Sequence, residues 1–270
     1  MTTKIVTILI PNYKTPEITK ICMRLLRKYT DFSQVEVIVI DNHSDDESLA
    51  YLKKISWIKL LERNPTEPET PVISHARAID LALQEVKTPY VLSIHTDTFV
   101  KNKQWLDVLL APFANNPKLA GVGSWKLESK PQWRIWGIQL EQYCKYLLNR
   151  FFGYQSYNKD RLDIEARYLR SHCAIYKTEV IRALNTRFGD EETTAGKIMH
   201  RKMLAAGYEM LFLESAQLGK YIDHLNHATS VFNPELGSKV RTIKEGQQRI
   251  KQKLRGIDAT AILNNPSLDF

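Results

Sequence analysis

Residues 35–48 read VEVIVIDNHSDDES, a β-branched apolar run that breaks abruptly into acids, amides and serines. Val35–Ile40 has almost no polar face, which predicts a strand buried on both sides, as in a parallel sheet covered by helices. Asp41, Asn42, Ser44 and Asp45 then fall at its carboxyl end. A carboxylate there can accept hydrogen bonds from a base edge or ribose hydroxyls. The same residue types also build turns and helix caps, so the segment alone leaves both readings open.

The pattern repeats outward along the chain. Lys4–Ile10 predicts a first buried strand closed by Pro11-Asn12-Tyr13, and Thr15-Pro16 predicts the capped start of a helix. Leu49–Ile55 reads as a short helix, Trp57–Leu61 as a third strand, RNPTEPETP (63–71) as a loop and Ser74–Val86 as a helix. Val91–Ile94 is a fourth strand that ends in His95-Thr96-Asp97. Strands alternating with helices imply a mainly parallel sheet, in which ligands bind beyond the carboxyl ends of the strands. Three polar stretches gather at those ends: Pro11–Tyr13, Asp41–Asp46 and His95–Asp97.

The second half is less regular. Trp105–Phe113 predicts a helix, Leu119–Trp125 a strand, Glu141–Phe152 an amphipathic helix and His172–Leu184 a strand followed by a helix. Phe188–Leu213 predicts a helix running to Ala206, with Gly207 as its stop, and a final strand. Lys239–Arg255 is a basic helical tail.

The chain of 270 residues carries a net charge of +8, which suits anionic partners without choosing among them. Cys22, Cys144 and Cys173 lack zinc spacing and do not suggest a disulfide framework, so a reducing compartment is expected. The amino-terminal residues lack a signal-peptide pattern, and no apolar run spans a bilayer. A cytoplasmic setting is expected. Neither Gly-x-Gly-x-x-Gly nor a Gly-rich Lys-Ser/Thr loop is present, which argues against a dinucleotide fold, a P-loop or a nucleotidyltransferase. No nucleic-acid module is recognisable, and no nucleic-acid partner is expected.

Taken in order, TILIPNYKTPEI (7–18), VEVIVIDNHSDDES (35–48), HARAIDLALQEVKTPYVLSIHTDTFV (75–100), HCAIYKTEVI (172–181) and FGDEETTAGKIMHRKMLAAGYEMLFL (188–213) resemble the motif series of the family 2 glycosyltransferases. The resemblance covers roughly residues 4–232. It implies a GT-A-like α/β fold with a mainly parallel, Rossmann-like sheet and a C-terminal helical extension. The glycosyltransferase domain is expected over 1–235, with a nucleotide-binding half (about 1–100) and an acceptor-binding half (about 101–235). The basic tail would be 236–270.

The implied activity is transfer of a sugar, with inversion, from a nucleoside diphosphate donor to a hydroxyl on a saccharide or lipid-linked acceptor. The setting would be cell-envelope or extracellular polysaccharide assembly. A non-catalytic nucleotide-sugar binder is the alternative. The resemblance assigns Pro11, Asn12 and Tyr13 to the base, and Asp41 with Asn42 and Ser44 to the base or ribose. Arg77 falls near the diphosphate, with His95 and Thr96 beside it. Asp97 matches the last acid of Asp-x-Asp, which holds Mn²⁺ or Mg²⁺. His95 stands where the first acid should be. That leaves three readings: a softer ion, a direct hydrogen bond to the donor, or a weakened metal requirement. His224 is the implied third ligand, with His227 near the phosphates or acceptor. Glu191 is the implied general base, and Asp190 and Glu192 compete for that role because the spacing to Ala-Gly-Tyr slips by about a helical turn. First-turn helix acids favoured by the macrodipole would look the same. Trp125, Trp133 and Trp136 are expected to offer an aromatic platform to a sugar, or simply to pack. The basic tail is expected to touch anionic lipid at the inner membrane face, or to be a solvated helix.

Overall fold

The computed structural model describes residues 3–125, 127, 143, 167–226, 228–236 and 240–270. His227, Trp133, Trp136 and nearly all of the expected 141–152 helix lie outside the described residues.

The first strand, β1 (Val6–Asn12), runs parallel to β2 (Val35–Asp41) on one side and to β4 (Tyr90–Ile94) on the other. Beyond β2 lies β3 (Lys59–Glu62), also parallel. β7 (Cys173–Lys177) joins β4 antiparallel and then pairs antiparallel with β6 (Leu119–Gly123). β8 (Glu209–Phe212) closes the far edge parallel to β6, giving the order β3-β2-β1-β4-β7-β6-β8. A separate two-stranded ribbon pairs β5 (Thr98–Val100) with β9 (Ile222–His224).

Alternation along the strands fills both faces. Val6, Ile8, Ile10, Val35, Val37 and Val39 face one core cluster, while Leu9, Ile38 and Ile40 face the other. The first cluster is covered by α1 (Pro16–Tyr29) and α4 (Trp105–Ala114), the second by α3 (Pro71–Leu83) and α6 (Lys197–Ala205). Among the described residues the remaining α-helices are α2 (Glu47–Leu52), α5 (Thr178–Ala183), α7 (Ser215–Leu218), α8 (Ala228–Phe232), α9 (Val240–Gly256) and α10 (Ala259–Leu263).

The helix expected from Phe188 begins only at Lys197, after a 3₁₀ turn at Asp190–Glu192, and two smaller departures have local reasons. Helix α3 starts at Pro71 rather than Ser74, because Thr70 Oγ1 accepts from Ile73 N (3.4 Å) and proline suits the first turn. Thr15 precedes α1 but caps nothing; its hydroxyl pairs with that of Thr19 at 3.2 Å. Thr19 Oγ1 in turn donates to Asn12 Oδ1 (2.6 Å), so this corner is spent on fixing the end of β1.

The C-terminal segment folds back onto α1 and α2. Arg24 Nε and Nη2 donate to the two carboxylate oxygens of Asp269 (2.8 and 2.5 Å), and Tyr51 Oη donates to Asp269 Oδ1 (2.7 Å). The two side chains are 4% and 13% exposed, so this is a bidentate ion pair with Arg24 buried and Asp269 half-buried.

Candidate functional site

The strand order reverses between β1 and β4, and side chains beyond their carboxyl ends face a common crevice. A cleft of about 970 Å³ opens there. Pro11, Asn12, Tyr13 and Asn42 line it from the β1 and β2 ends, and His95, Thr96 and Asp97 from the end of β4. His224 reaches it from β9, and Ser171 and His172 from the segment entering β7.

Antiparallel pairing puts Thr98 opposite His224, and Leu225 N donates to Asp97 O at 2.9 Å. Sequence positions more than a hundred apart are thereby brought side by side. His224 Nε2 lies 3.0 Å from Asp97 Oδ1, and His95 Nδ1 lies 3.8 Å from the same oxygen. One ligand-type atom from each of these three residues falls within 4.8 Å of the others. Asp97 Oδ1 and both ring nitrogens of His224 are buried without a hydrogen-bond partner. These three polar atoms converge on one corner of the cleft. Orphaned buried polar atoms are costly, and a cation satisfies all of them at once. One carboxylate oxygen with imidazole nitrogens is a donor set that suits a divalent transition ion. His95, Asp97 and His224 thus fit a metal.

Electrostatics favour the same use. Burial opposes a charge on Asp97, but His224 and His95 beside it and the Ala228 N–H (3.1 Å) outweigh it and hold the carboxyl well below its usual range. Packing pushes His75 down to about 4 by burial. His95 keeps 30% of its side-chain surface at the cleft, yet desolvation and the neighbouring His75 push it well below its ordinary value. A neutral His95 keeps a ring lone pair available.

Sequence reading missed two histidines. His75, on α3, meets the His95 ring edge-on at 4.6 Å, and His172 stacks on His224 at 4.6 Å with ring planes 12° apart. Ser171 Oγ joins the group, 3.0 Å from His95 Nε2 and 3.3 Å from His75 Nε2. The signal was the β4–β7 register, in which Ile94 faces Cys173, so that His95 and His172 extend past the same end. Nothing local announces that pairing.

Other assigned residues are placed as follows. Asp41 is 2% exposed and lies behind the cleft wall, accepting from Asn12 Nδ2 (2.7 Å) and Ser44 N (3.0 Å). Ser44 is buried beside it. Asn42 Oδ1 accepts from Arg63 Nη1 (2.8 Å), and Arg63 with Arg77 grips Glu69 (2.5 and 2.7 Å), holding that carboxyl down at about 2. Arg77 also pairs with Glu192 (2.5 Å) and so ties the α3 side to the acid loop. Glu67, Glu69 and the prolines of the 65–71 loop line the cleft, another feature that motif reading passed over.

The acids at 190–192 form a single 3₁₀ turn, with Glu191 and Glu192 in the left-handed region (φ 56° and 50°). Asp190 is turned inward, accepting from Thr186 Oγ1 (2.5 Å) and Lys202 Nζ (2.8 Å). Burial works against its charge, but these donors hold its carboxyl below the usual range. Glu191 and Glu192 are exposed beside Thr194 and Ala195, which do line the cleft. Asp80 of α3 anchors the turn by accepting from Phe188 N (2.7 Å) and Gly189 N (2.9 Å). Gly189 is required by this approach, since a Cβ would sit 2.7 Å from Asp80 Oδ2. Trp125 lines the cleft with the Arg170 guanidinium 4.6 Å from its ring centre.

The tail does not stand clear of the domain. Ile250 on α9 is buried, while Lys244, Lys251 and Arg255 are exposed. No helix among the described residues is long and apolar enough to cross a membrane.

Among solved structures, the mannosyltransferase PcManGT from Pyrobaculum calidifontis, in complex with GDP-Man and Mn²⁺, superposes with a TM-score of 0.53 at 15% identity, covering 97% of this chain and 74% of that one. The glucosyl-3-phosphoglycerate synthase of Mycobacterium tuberculosis, in complex with Mn²⁺, UDP and glucosyl-3-phosphoglycerate, gives 0.51 at 17% identity over 92% and 80%. S. aureus TarS 1–349 gives 0.52 at 14% identity over 91% and 69%. At these identities the likeness establishes the fold, the GT-A arrangement. No curated protein matches the sequence. The family model for glycosyl transferase family 2 matches residues 7–184, which takes in every strand from β1 to β7, and the chain belongs to that family.

Proposed function

We propose that this glycosyltransferase moves a sugar, with inversion, from a nucleoside diphosphate donor to a hydroxyl of a saccharide or lipid-linked acceptor in cell-envelope or extracellular polysaccharide assembly. The observation that carries the reading is the orphaned corner of Asp97 and His224, with His95 beside it, in a cleft continuous with Pro11, Tyr13 and Asn42. Base and ribose would lie against Pro11, Tyr13 and Asn42. The diphosphate would reach the Asp97 corner. The two relatives named with Mn²⁺ and a nucleotide or nucleotide sugar support this donor class.

A divalent ion bound by Asp97, His224 and His95 would supply charge stabilisation for the departing diphosphate. The chain's own residues do the rest. The cleft walls orient the donor so that its anomeric carbon faces the acceptor side, near Thr194 and Ala195. A carboxylate of the acid loop, assigned to Glu191, takes the acceptor hydroxyl proton as that oxygen bonds to the anomeric carbon. The bond from that carbon to the diphosphate oxygen breaks, and the nucleoside diphosphate leaves with the electron pair. Exposed Lys244, Lys251 and Arg255 support a peripheral contact with anionic lipid.

The test is a thermal-shift screen of UDP-, GDP- and dTDP-sugars with and without Mn²⁺, followed by turnover assays with a panel of acceptors. A ligand that binds only the folded state raises the unfolding midpoint. Absence of any shift rejects the donor class. Binding without turnover across the panel favours a non-catalytic nucleotide-sugar binder.

A further inference from the structure

The proposed metal corner depends on a ribbon that cannot hold itself in place. β9 meets β5 through only three residue pairs, and a two-stranded ribbon is marginal alone. Just after β9 the chain turns sharply, with Asn226 at φ 58°. The carbonyls of His224, Leu225 and Asn226 leave the ladder there and need donors from elsewhere.

Helix α9 supplies them. Lys253 Nζ donates to His224 O (2.6 Å) and to Asp223 Oδ1 (2.6 Å). Arg249 Nη2 donates to Asn226 O (2.6 Å), and its Nε to Leu225 O (3.3 Å). Residues 249 and 253 are four apart, hence on one helix face. The helix carrying them is pinned: Ile250 is 1% exposed, and Gly246 packs so closely that a Cβ would meet Val231 at 2.5 Å. Two cations of the basic tail therefore point inward and grip three successive carbonyls, the first belonging to His224.

We propose that Lys253 and Arg249 are positioning residues for the metal ligand His224: they lock the turn after β9 so that its imidazole stays aimed at Asp97. The inference rests on the metal-corner reading above. It gives the C-terminal helix a role in the sugar-transfer site that needs no membrane.

The test is Mn²⁺ titration of the full chain, followed by the electron paramagnetic resonance signal of free Mn²⁺, with unfolding midpoints measured in parallel. Lys253→Met and Arg249→Met should each weaken Mn²⁺ binding by about tenfold or more, as loss of outer-shell support does elsewhere. Lys253→Arg, which keeps a cationic donor, should restore most of the affinity, and exposed Lys251→Met should leave it unchanged. Wild-type affinity in Lys253→Met and Arg249→Met overturns the proposal. If either variant loses its fold, Lys253→Gln and Lys253→Arg decide: equal, wild-type affinity in both overturns the proposal, and a loss in the first restored in the second upholds it. A wild-type chain that binds no Mn²⁺ overturns the metal corner itself, and this inference with it.

Discussion

His224 Nε2 lies 3.0 Å from Asp97 Oδ1, both atoms are buried, and neither has a hydrogen bond. A divalent cation would satisfy both atoms at once. Asp97→Asn should remove the charge and weaken Mn²⁺ binding by at least about tenfold, and His224→Ala should do the same. Chelation of the ion should abolish the donor-dependent rise in the unfolding midpoint. Calorimetric titration of each variant checks the first statement, and thermal unfolding with donor and chelator the second.

His95 should set the choice of ion. Imidazole nitrogen suits Mn²⁺, Co²⁺ or Zn²⁺ better than Mg²⁺, which prefers oxygen. The wild-type chain should bind Mn²⁺ or Co²⁺ more tightly than Mg²⁺. His95→Asp should narrow or reverse that ratio, measured by competition between the two ions. An unchanged ratio would mean that His95 serves its Ser171 hydrogen bond rather than the metal.

The three neighbouring acids should separate by phenotype. Asp190 holds Thr186 and Lys202, so Asp190→Asn should lower stability by about 1–3 kcal/mol, as loss of a charged buried acceptor does. Glu191→Gln should leave the unfolding midpoint alone and lower kcat by roughly 10²–10⁴-fold, the range for a missing general base. Glu192→Gln breaks the exposed, solvent-screened pair with Arg77 and should have the mildest effect on the unfolding midpoint. Full activity in Glu191→Gln would transfer the base role to Glu192.

Arg24→Met removes both guanidinium donors and leaves the half-buried Asp269 with Tyr51 alone, and should cost about 1–3 kcal/mol in urea unfolding. Burial disfavours the Asp269 charge, but the Arg24 and Tyr51 hydrogen bonds prevail and keep its folded pKa below the ordinary 3.8. Its stabilisation is therefore present above the unfolded pKa and is lost as pH falls through the folded one. Unfolding below about pH 4 should be steeper in the wild type than in Asp269→Asn.

Asp80 behaves in the opposite sense. Burial, against the two amides it accepts from, pushes it up to about 6. The folded state holds this proton more tightly than the unfolded chain, so its contribution is complete below pH 3.8 and is lost as pH rises through about 6. Asp80→Asn should flatten stability between those limits, measured by urea unfolding at a series of pH values.

The parts of this protein legible in its sequence are those in which local pattern and final environment coincide. Val35–Ile40 is apolar at nearly every position because both of its faces are buried, so its place inside a helix-covered sheet could be read directly. The polar tips of β1, β2 and β4 follow from the same logic, since parallel strands put their carboxyl ends on one edge. Asp97 and His224 were singled out by the family resemblance, and the structure brings them within 3.0 Å.

What the tertiary structure alone decided is which polar tips meet. Asp41, at the end of the most readable strand, spends its carboxylate on Asn12 and Ser44 behind the cleft wall. His75 and His172 enter the site because α3, packed on β1 and β2, brings His75 against the His95 ring and because β7 runs antiparallel beside β4. The basic tail looked like a free surface, yet Lys253 and Arg249 are turned inward to orphaned carbonyls. Hydrophobic periodicity is a local signal, carried within a few turns of chain. Hydrogen-bond satisfaction and ligand geometry are fixed by which distant segments pack together, and no single stretch of sequence encodes that.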